Sequence, residues 1–465
     1  MLKKVVSLKN LELIFEELTK CKKPPKSKIY NCTKASPVRA VAEFEPMGGV
    51  LIAYPGTSSR KQQHIQLPPN GERSFGIPNE LIVRMQQADS KTPVQIFILC
   101  ADESLQEGII EDLAKTAKQL KIKFDKKLIN FILWDTDTFW TRDYGPWWIE
   151  YKKSKRFGIA KHLYTSLGGG SVGMVEGAED VNPREGSGIF RPNDDFASVK
   201  VSDYLNAPIR TWNKACWNNQ KSLKTIDTHD WFNTGLLNVG GNYMVTGDGI
   251  IASSYLVATQ NELPIDNEKL VKDPCAKQIE QRMKYILDQF NRFMGLETYH
   301  VLTDPSGTYI GHIDCWGKFL APRKILIAKS QDEKVNKAYD EISKSFKKEG
   351  FEVYRVMCQD VYIPQSDGSN ATTAAYTNSL ILNDHVYVPI AGGVYKKYDD
   401  EALAVYKEAL PKHTIIGIEG KEEFPWLGTD AMHCRTRAIP RGVIDNWLKS
   451  QKQPNKSDYV NKKCK

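Results

Sequence analysis

Short apolar runs alternate with turn-forming breaks along most of this chain, and the spacing of the apolar positions sets the expected elements. Val38-Arg39-Ala40-Val41-Ala42-Glu43-Phe44-Glu45 alternates apolar and polar, the period of a half-buried strand. Pro46 and Met47 turn it into an apolar strand over 49–55, so the two are expected to pair as a hairpin. A helix is expected near 79–87 and a buried strand over 94–99. Residues 103–120 read as an amphipathic helix with Ile109, Ile110, Leu113, Ala117 and Leu120 on one face. Residues 128–134 read as strand again. Four further hairpins are expected: 147–151 with 157–160, 242–246 with 250–252, 317–320 with 324–328, and 378–382 with 386–391. Helical sequence follows at 264–293, 332–348 and 399–410, and third strands at 351–356 and 414–418.

A hairpin, a helix and a third strand cannot bury their faces singly, but stacked around an axis they can. One closed α/β domain over 37–440 is therefore expected in place of several separate ones. A doubly wound parallel sheet would not need the hairpins. Residues 1–36 read as a short amphipathic helix and a Lys/Pro-rich linker, and 441–465 as a short basic tail. Residues 167–195, rich in Gly, Glu, Asp and Pro, read as a long surface loop.

Composition narrows the class. Hydrophobic content of 41% and charged content of 26% are ordinary for a globular chain. No apolar run is long enough to span a bilayer. The net charge of +8 is scattered over lysines without a basic, aromatic-interleaved stripe, so neither a membrane nor nucleic acid is an expected partner. Nine dispersed cysteines, without a Cys-x-x-Cys pair, point to free thiols in a reducing compartment. Cytoplasmic placement is expected; three sequons, at Asn31, Asn370 and Asn455, keep secretion as the alternative.

Polar interruptions between the apolar runs carry the candidate chemistry. Read as extended backbone, Gly311-His312-Ile313-Asp314-Cys315-Trp316 would put His312 and Asp314 on one face and Cys315 on the other. In Phe139-Trp140-Thr141-Arg142-Asp143-Tyr144-Gly145-Pro146, Asp143 is a candidate cation anchor and Trp140 a stacking surface, although a buried Trp beside an Arg–Asp turn accounts for both. Gly240-Gly241 allows close backbone approach. Asn378 can orient a ligand or cap a turn. Cys434 has polar and basic neighbours in Asp430-Ala431-Met432-His433-Cys434-Arg435-Thr436, which favour a thiolate. A zinc site fits these spacings poorly, since the adjacent His433 and Cys434 would diverge. A papain-like Cys–His pair leaves the second carboxylate unexplained. A guanidinium clamped by Asp143 and Asp314, attacked by Cys434 and served by His312 as proton carrier, uses all of them.

Five segments, 139–146, Gly240-Gly241-Asn242-Tyr243-Met244, 309–318, 376–383 (opening Tyr376-Thr377-Asn378-Ser379) and 426–436, resemble the Porphyromonas-type peptidylarginine deiminases, relatives of the agmatine deiminases. The resemblance runs in order from about Val38 to Thr436. It implies a pentein fold, a five-bladed α/β propeller with pseudo-fivefold symmetry, and a metal-independent reaction without a cofactor. By the same resemblance Cys434 is the nucleophile, His312 the general acid/base, Asp143 and Asp314 the clamp, and Asn378 an orienting residue. Trp140 and Tyr309 line the substrate pocket. The Arg-Pro-Arg segment that grips a peptide's terminal carboxylate in that family is here Arg191-Pro192-Asn193, so Arg191 is matched and the second arginine is not. The Gly-Ile-His-Cys run of the agmatine deiminases is here Ala431-Met432-His433-Cys434. The immunoglobulin-like and secretion modules of the secreted enzymes cannot fit into 437–465. The expected substrate is peptide arginine, with C-terminal arginine favoured, yielding citrulline and ammonia; agmatine or free arginine is the alternative.

Overall fold

The apolar runs that end in turns become the inner strands of mixed sheets. The structure, a computed structural model, describes residues 27–55, 75–164, 191–215, 229–261, 275–305, 311–361, 372–420, 426 and 430–452. One unit recurs five times among them: an antiparallel strand pair, a helix, and a third strand parallel to the second. A parallel strand can be reached only through a long crossover, and the helix supplies it.

In the first unit Met47–Tyr54 lies between Arg437–Pro440, antiparallel, and Gln95–Cys100, parallel, with helix Asn79–Met85 between the parallel strands in sequence. Ile129–Leu133 extends this sheet. The second unit pairs Trp148–Tyr151 with Phe157–Leu163 and crosses through helix Pro192–Ala215 to His229–Leu237. The third pairs Met244–Val245 with Ile250–Ser254 and crosses through Cys275–Met294 to Thr298–Leu302. The fourth uses Gly317–Ala321, Lys324–Lys329, Glu333–Lys348 and Glu352–Met357. The fifth uses Leu380–Leu382, His385–Ile390, Lys396–Ala409 and Thr414–Glu419.

Alternation along each strand sends its side chains to two different cores. Val50 and Ile52 pack with Leu380 and Tyr387 of the fifth unit, while Leu51 and Ala53 pack with Trp148 and Ile159 of the second. Ile149 and Ala160 pack with Ile251 and Val301 of the third unit, and Ala252 joins Leu326 and Val386 of the fourth and fifth. Local capping helps the helices: the Asp332 side chain accepts from Val335 N at the start of Glu333–Lys348, a contact of about 1 kcal/mol.

The expected hairpin at Met47 does not form. Val38–Ala40 pairs instead with Trp148–Tyr151, and Met47–Tyr54 finds its antiparallel partner near the other end of the chain. Glu45 closes a turn on the Ala42 N–H and on Arg39, and Glu43 turns inward, so the alternating run ends early. Regular elements also lie outside the expected span 37–440. Lys28–Asn31, placed in the linker, is a strand on Thr298–Leu302. Arg441–Gln451, placed in the tail, is a helix whose Val443, Ile444 and Trp447 are buried. Trp447 packs its ring 5.2 Å from Phe97. The end of the expected 167–195 loop is the first turn of helix Pro192–Ala215, and residues 165–190 lie outside the described residues. No helix among the described residues is long and apolar enough to cross a membrane.

Candidate active site

A polar turn precedes the leading strand of every unit, and these turns supply the candidate residues. Asp143, on the short helix Thr141–Tyr144, precedes Trp148–Tyr151. Gly240–Asn242 precedes Met244–Val245. His312 and Asp314 precede Gly317–Ala321, Asn378 precedes Leu380–Leu382, and Cys434 precedes Arg437–Pro440.

The turns converge. A Cβ placed on Gly241 would stand 2.6 Å from His312 Nδ1, 2.8 Å from Asp143 Oδ1 and 3.2 Å from Asp314 Oδ1, so one glycine marks where imidazole and both carboxylates meet. The Gly241 N–H donates to Asp143 Oδ1 at 3.1 Å, and His312 Nδ1 lies 3.8 Å from that oxygen. Neither ring nitrogen of His312 has a hydrogen-bond partner among the described residues, although the ring is buried. Cys434 Sγ lies 3.4 Å from Asp314 Oδ2 and accepts from Asn378 Nδ2 at 3.0 Å. The backbone N–H groups of Ala431 and Cys434 both donate to Asn378 Oδ1, at 3.0 and 3.1 Å. Those two donors fix the amide, so its NH₂ must face the sulfur.

The buried carboxylates set the electrostatics. Burial, with the charge of Asp314 adding to it, pushes the Asp143 pKa up to about 6. Burial works the same way on Asp314, but the hydrogen bond and charge of His433 outweigh it and hold Asp314 below its ordinary value. Burial, then the charges of Asp314, Asp430 and Asp143, push the Cys434 thiol well above its ordinary value. The basic neighbours expected to favour a thiolate are outweighed by burial and these carboxylates. Arg435, the neighbouring cation, is committed to a bidentate pair with Asp430 and stacks near Phe139, and the carboxylate of Asp314 lies against the sulfur instead.

Two geometric expectations are corrected. His312 and Asp314 are not on a strand: His312 caps a 3-10 turn, Ile313–Cys315. The turn still brings both to the site, and Cys315 faces the apolar cluster with Phe319 and Leu326. His433 and Cys434 do not diverge either. The chain turns tightly there, and His433 Nδ1 (2.7 Å) and Cys434 Sγ reach the same oxygen, Asp314 Oδ2.

Trp140 stands beside this centre, its indole N–H donating to Asp430 Oδ2 at 2.9 Å. The Arg191 guanidinium lies over the Trp140 ring, 5.0 Å from its centroid, and donates to the Tyr164 hydroxyl at 2.9 Å. A reciprocal clasp holds it there: Asp137 accepts from the N–H groups of Asn193 and Asp194, and Asp194 accepts from those of Asp137 and Thr138. Tyr309 lies outside the described residues.

A buried charge network behind Asp314 was not legible as part of the site. Glu43 meets His433 Nε2 at 2.6 Å, Lys318 Nζ at 2.8 Å and Arg142 Nη2 at 3.3 Å. Burial would raise the Glu43 pKa, but Lys318, His433 and Arg142 together hold it well below the ordinary value. Glu43 and Lys318 sit on runs read as strands, where a charge ordinarily marks the solvent face. The one signal was Lys318, the single charge in the otherwise apolar run 317–320; in the alternating run of Glu43 nothing marked that charge as buried. Among the described residues no cluster of three or more His, Cys, Asp or Glu side chains is arranged to hold a metal ion.

Fold and centre together define an α/β protein with a buried thiol, an imidazole and paired carboxylates at one point. The profile of the Porphyromonas-type peptidyl-arginine deiminase family matches residues 39–440, and the chain belongs to that family. An agmatine deiminase of Medicago truncatula is 26% identical over 250 residues, 48% of this chain and 62% of that protein. The chain thus spans just under two thirds of that relative's length. Two solved structures share the α/β pentein fold. The agmatine deiminase of Enterococcus faecalis has a TM-score of 0.56 at 18% identity, covering 88% of this chain and 99% of that one. That of C. jejuni has a TM-score of 0.54 at 16% identity, covering 86% and 96%.

Proposed function

We propose that this protein is a guanidino-group deiminase that works through a covalent Cys434 intermediate without a cofactor. The observation that carries the reading is the convergence of His312, Asp143 and Asp314 at Gly241, with Cys434 Sγ 3.4 Å from Asp314 and held by Asn378. A guanidinium is planar, permanently charged and suited to carboxylate partners on two sides. Asp143 and Asp314 clamp it, and Trp140 flanks its tail. His312 takes the Cys434 proton as the sulfur attacks the guanidino carbon. The same proton then goes to the departing nitrogen, the C–N bond breaks, and ammonia leaves a thiouronium. His312 next takes a proton from water. The hydroxide adds, the C–S bond breaks, and a ureido product leaves as the thiol is restored; the surplus proton departs with ammonia as ammonium.

The named relatives favour a small guanidino substrate of the agmatine type over peptide arginine. Arg191 supports the second reading. A cation held over Trp140 suits a substrate carrying a carboxylate and opposes an amine tail. We infer further that the five units close into a five-bladed propeller with pseudo-fivefold symmetry, since each apolar cluster joins neighbouring units and each unit contributes one turn to the site. Purified protein assayed for ureido product on agmatine, free arginine, and peptides with terminal or internal arginine tests the substrate. Turnover of agmatine alone removes the peptide reading. Cys434→Ala should reduce turnover to background on every substrate, and full activity in that variant would overturn the mechanism.

A further inference from the structure

His433 has no role in the reaction described above, yet both of its ring nitrogens are held beside it. Its Nδ1 stands 2.7 Å from Asp314 Oδ2 and its Nε2 stands 2.6 Å from Glu43 Oε2. Ionised carboxylate oxygens only accept hydrogen bonds, and a neutral imidazole carries one N–H. With a neutral ring, one of these contacts would set a ring lone pair against a carboxylate oxygen, in the protein interior where that repulsion is poorly screened. Both contacts are attractive only when the three groups share two protons. Glu43 and Asp314 are each held below their ordinary values, so neither is the natural home of the second proton. Burial, then Arg142 and Lys318, hold the imidazole pKa below its ordinary value, with Glu43 and Asp314 pulling against them. Against that lowering stand the two short contacts themselves, to both of which only a doubly protonated ring can donate.

We propose that His433 is held as an imidazolium between Glu43 and Asp314, and that this buried charge eases ionisation of the Cys434 thiol. His433 is thus a positioning residue, acting through Asp314. Asp314 Oδ2 is the atom shared by His433 and Cys434 Sγ. Alone, that carboxylate opposes a neighbouring thiolate; backed by a cation, the pair is neutral and the opposition falls away. Glu43 completes the arrangement, because Lys318, Arg142 and the Ile381 N–H keep it anionic and so keep the ring charged.

The proposal rests on Cys434 being the nucleophile, but its test does not need turnover. Nitrogen–proton correlation spectra of the full chain from about pH 6 to 9 report each histidine's ring state, with His433 assigned by its loss in His433→Gln. Two protonated ring nitrogens are expected throughout. Alkylation of Cys434 by iodoacetamide, followed on its own peptide, gives the thiol's midpoint. His433→Gln should move that midpoint up by about one pH unit, roughly tenfold slower labelling below it, and lower kcat with KM little changed. Glu43→Gln should move it the same way. A neutral His433 ring overturns the proposal, as does an unshifted midpoint in a folded His433→Gln. Should both variants misfold, the wild-type spectrum decides. Full activity of Cys434→Ala would instead remove the deiminase reading and leave the ring's charge to the spectrum.

Discussion

Gly241 offers the sharpest test of the site's geometry. Its φ is not in the left-handed region, so alanine suits the backbone and, by restricting the unfolded chain, is worth about 0.4–1 kcal/mol. The added Cβ has no room. It would meet His312 Nδ1 at 2.6 Å and Asp143 Oδ1 at 2.8 Å, against an ordinary contact of about 3.4 Å, so ring and carboxylate must retreat by roughly 0.6–0.8 Å. Overpacking on this scale costs about 1–3 kcal/mol, leaving Gly241→Ala folded with a melting temperature lower by a few degrees at most. Displacing reacting groups by about 1 Å costs on the order of 100-fold in rate, so kcat/KM should fall roughly 30- to 100-fold. Ureido-product kinetics beside a thermal melt separate the two effects. Gly240→Ala is the contrast, because its Cβ would meet the Arg142 carbonyl oxygen at 1.9 Å and backbone cannot step aside; that variant should lose stability first. Activity of Gly241→Ala within about twofold of wild type, or its complete unfolding, would refute the reasoning.

Three further outcomes follow from burial. The clamp requires ionised Asp143, so kcat/KM should rise with pH through about 6, and Asp143→Asn should lose both that limb and most activity, as a pH–rate profile would show. The linkage has the opposite sign for stability: with a folded pKa of about 6 against an ordinary 3.8, the Asp143 contribution is fully present below the unfolded value and lost as pH rises through 6, which denaturant melts of wild type and Asp143→Asn compare directly. Trp447→Ala should destabilise by about 3–5 kcal/mol in urea melts, because Trp447 fills the core against Phe97; a loss below about 1 kcal/mol would return 441–451 to a dispensable tail.

What the sequence made legible was local. Four hairpins follow from apolar runs on either side of turn residues, and Asp143, His312, Asp314, Asn378 and Cys434 stand out because each interrupts such a run. What stayed hidden depends on partners far along the chain. Nothing near Met47–Tyr54 announces that its antiparallel partner is Arg437–Pro440. Helix Pro192–Ala215 begins directly after a Gly-rich stretch, and its cap, Asp137, lies in another segment. Glu43 and Lys318 obey strand alternation, and only their ion pair explains why such positions can be buried. The electrostatics at Cys434 run against the thiolate expectation for a related reason. Sequence neighbours place Arg435 beside Cys434, whereas the fold turns Arg435 onto Asp430 and presents carboxylates to the sulfur.

That charge arrangement bears on selectivity. At rest the front of the site holds a thiol pushed up and a carboxylate at about 6, both groups that burial discourages from ionising. On the proposed reading, a bound guanidinium reverses both: a permanent cation between Asp143 and Asp314 favours the ionised carboxylate and the thiolate together. A neutral ureido group of the same shape brings no charge and leaves ionisation of both groups disfavoured. The site then favours its substrate over its product by the one unit of charge that the reaction removes. Product inhibition should accordingly be weak, and it should weaken further as pH rises and Asp143 ionises, because burying that anion beside an uncharged ligand is unfavourable.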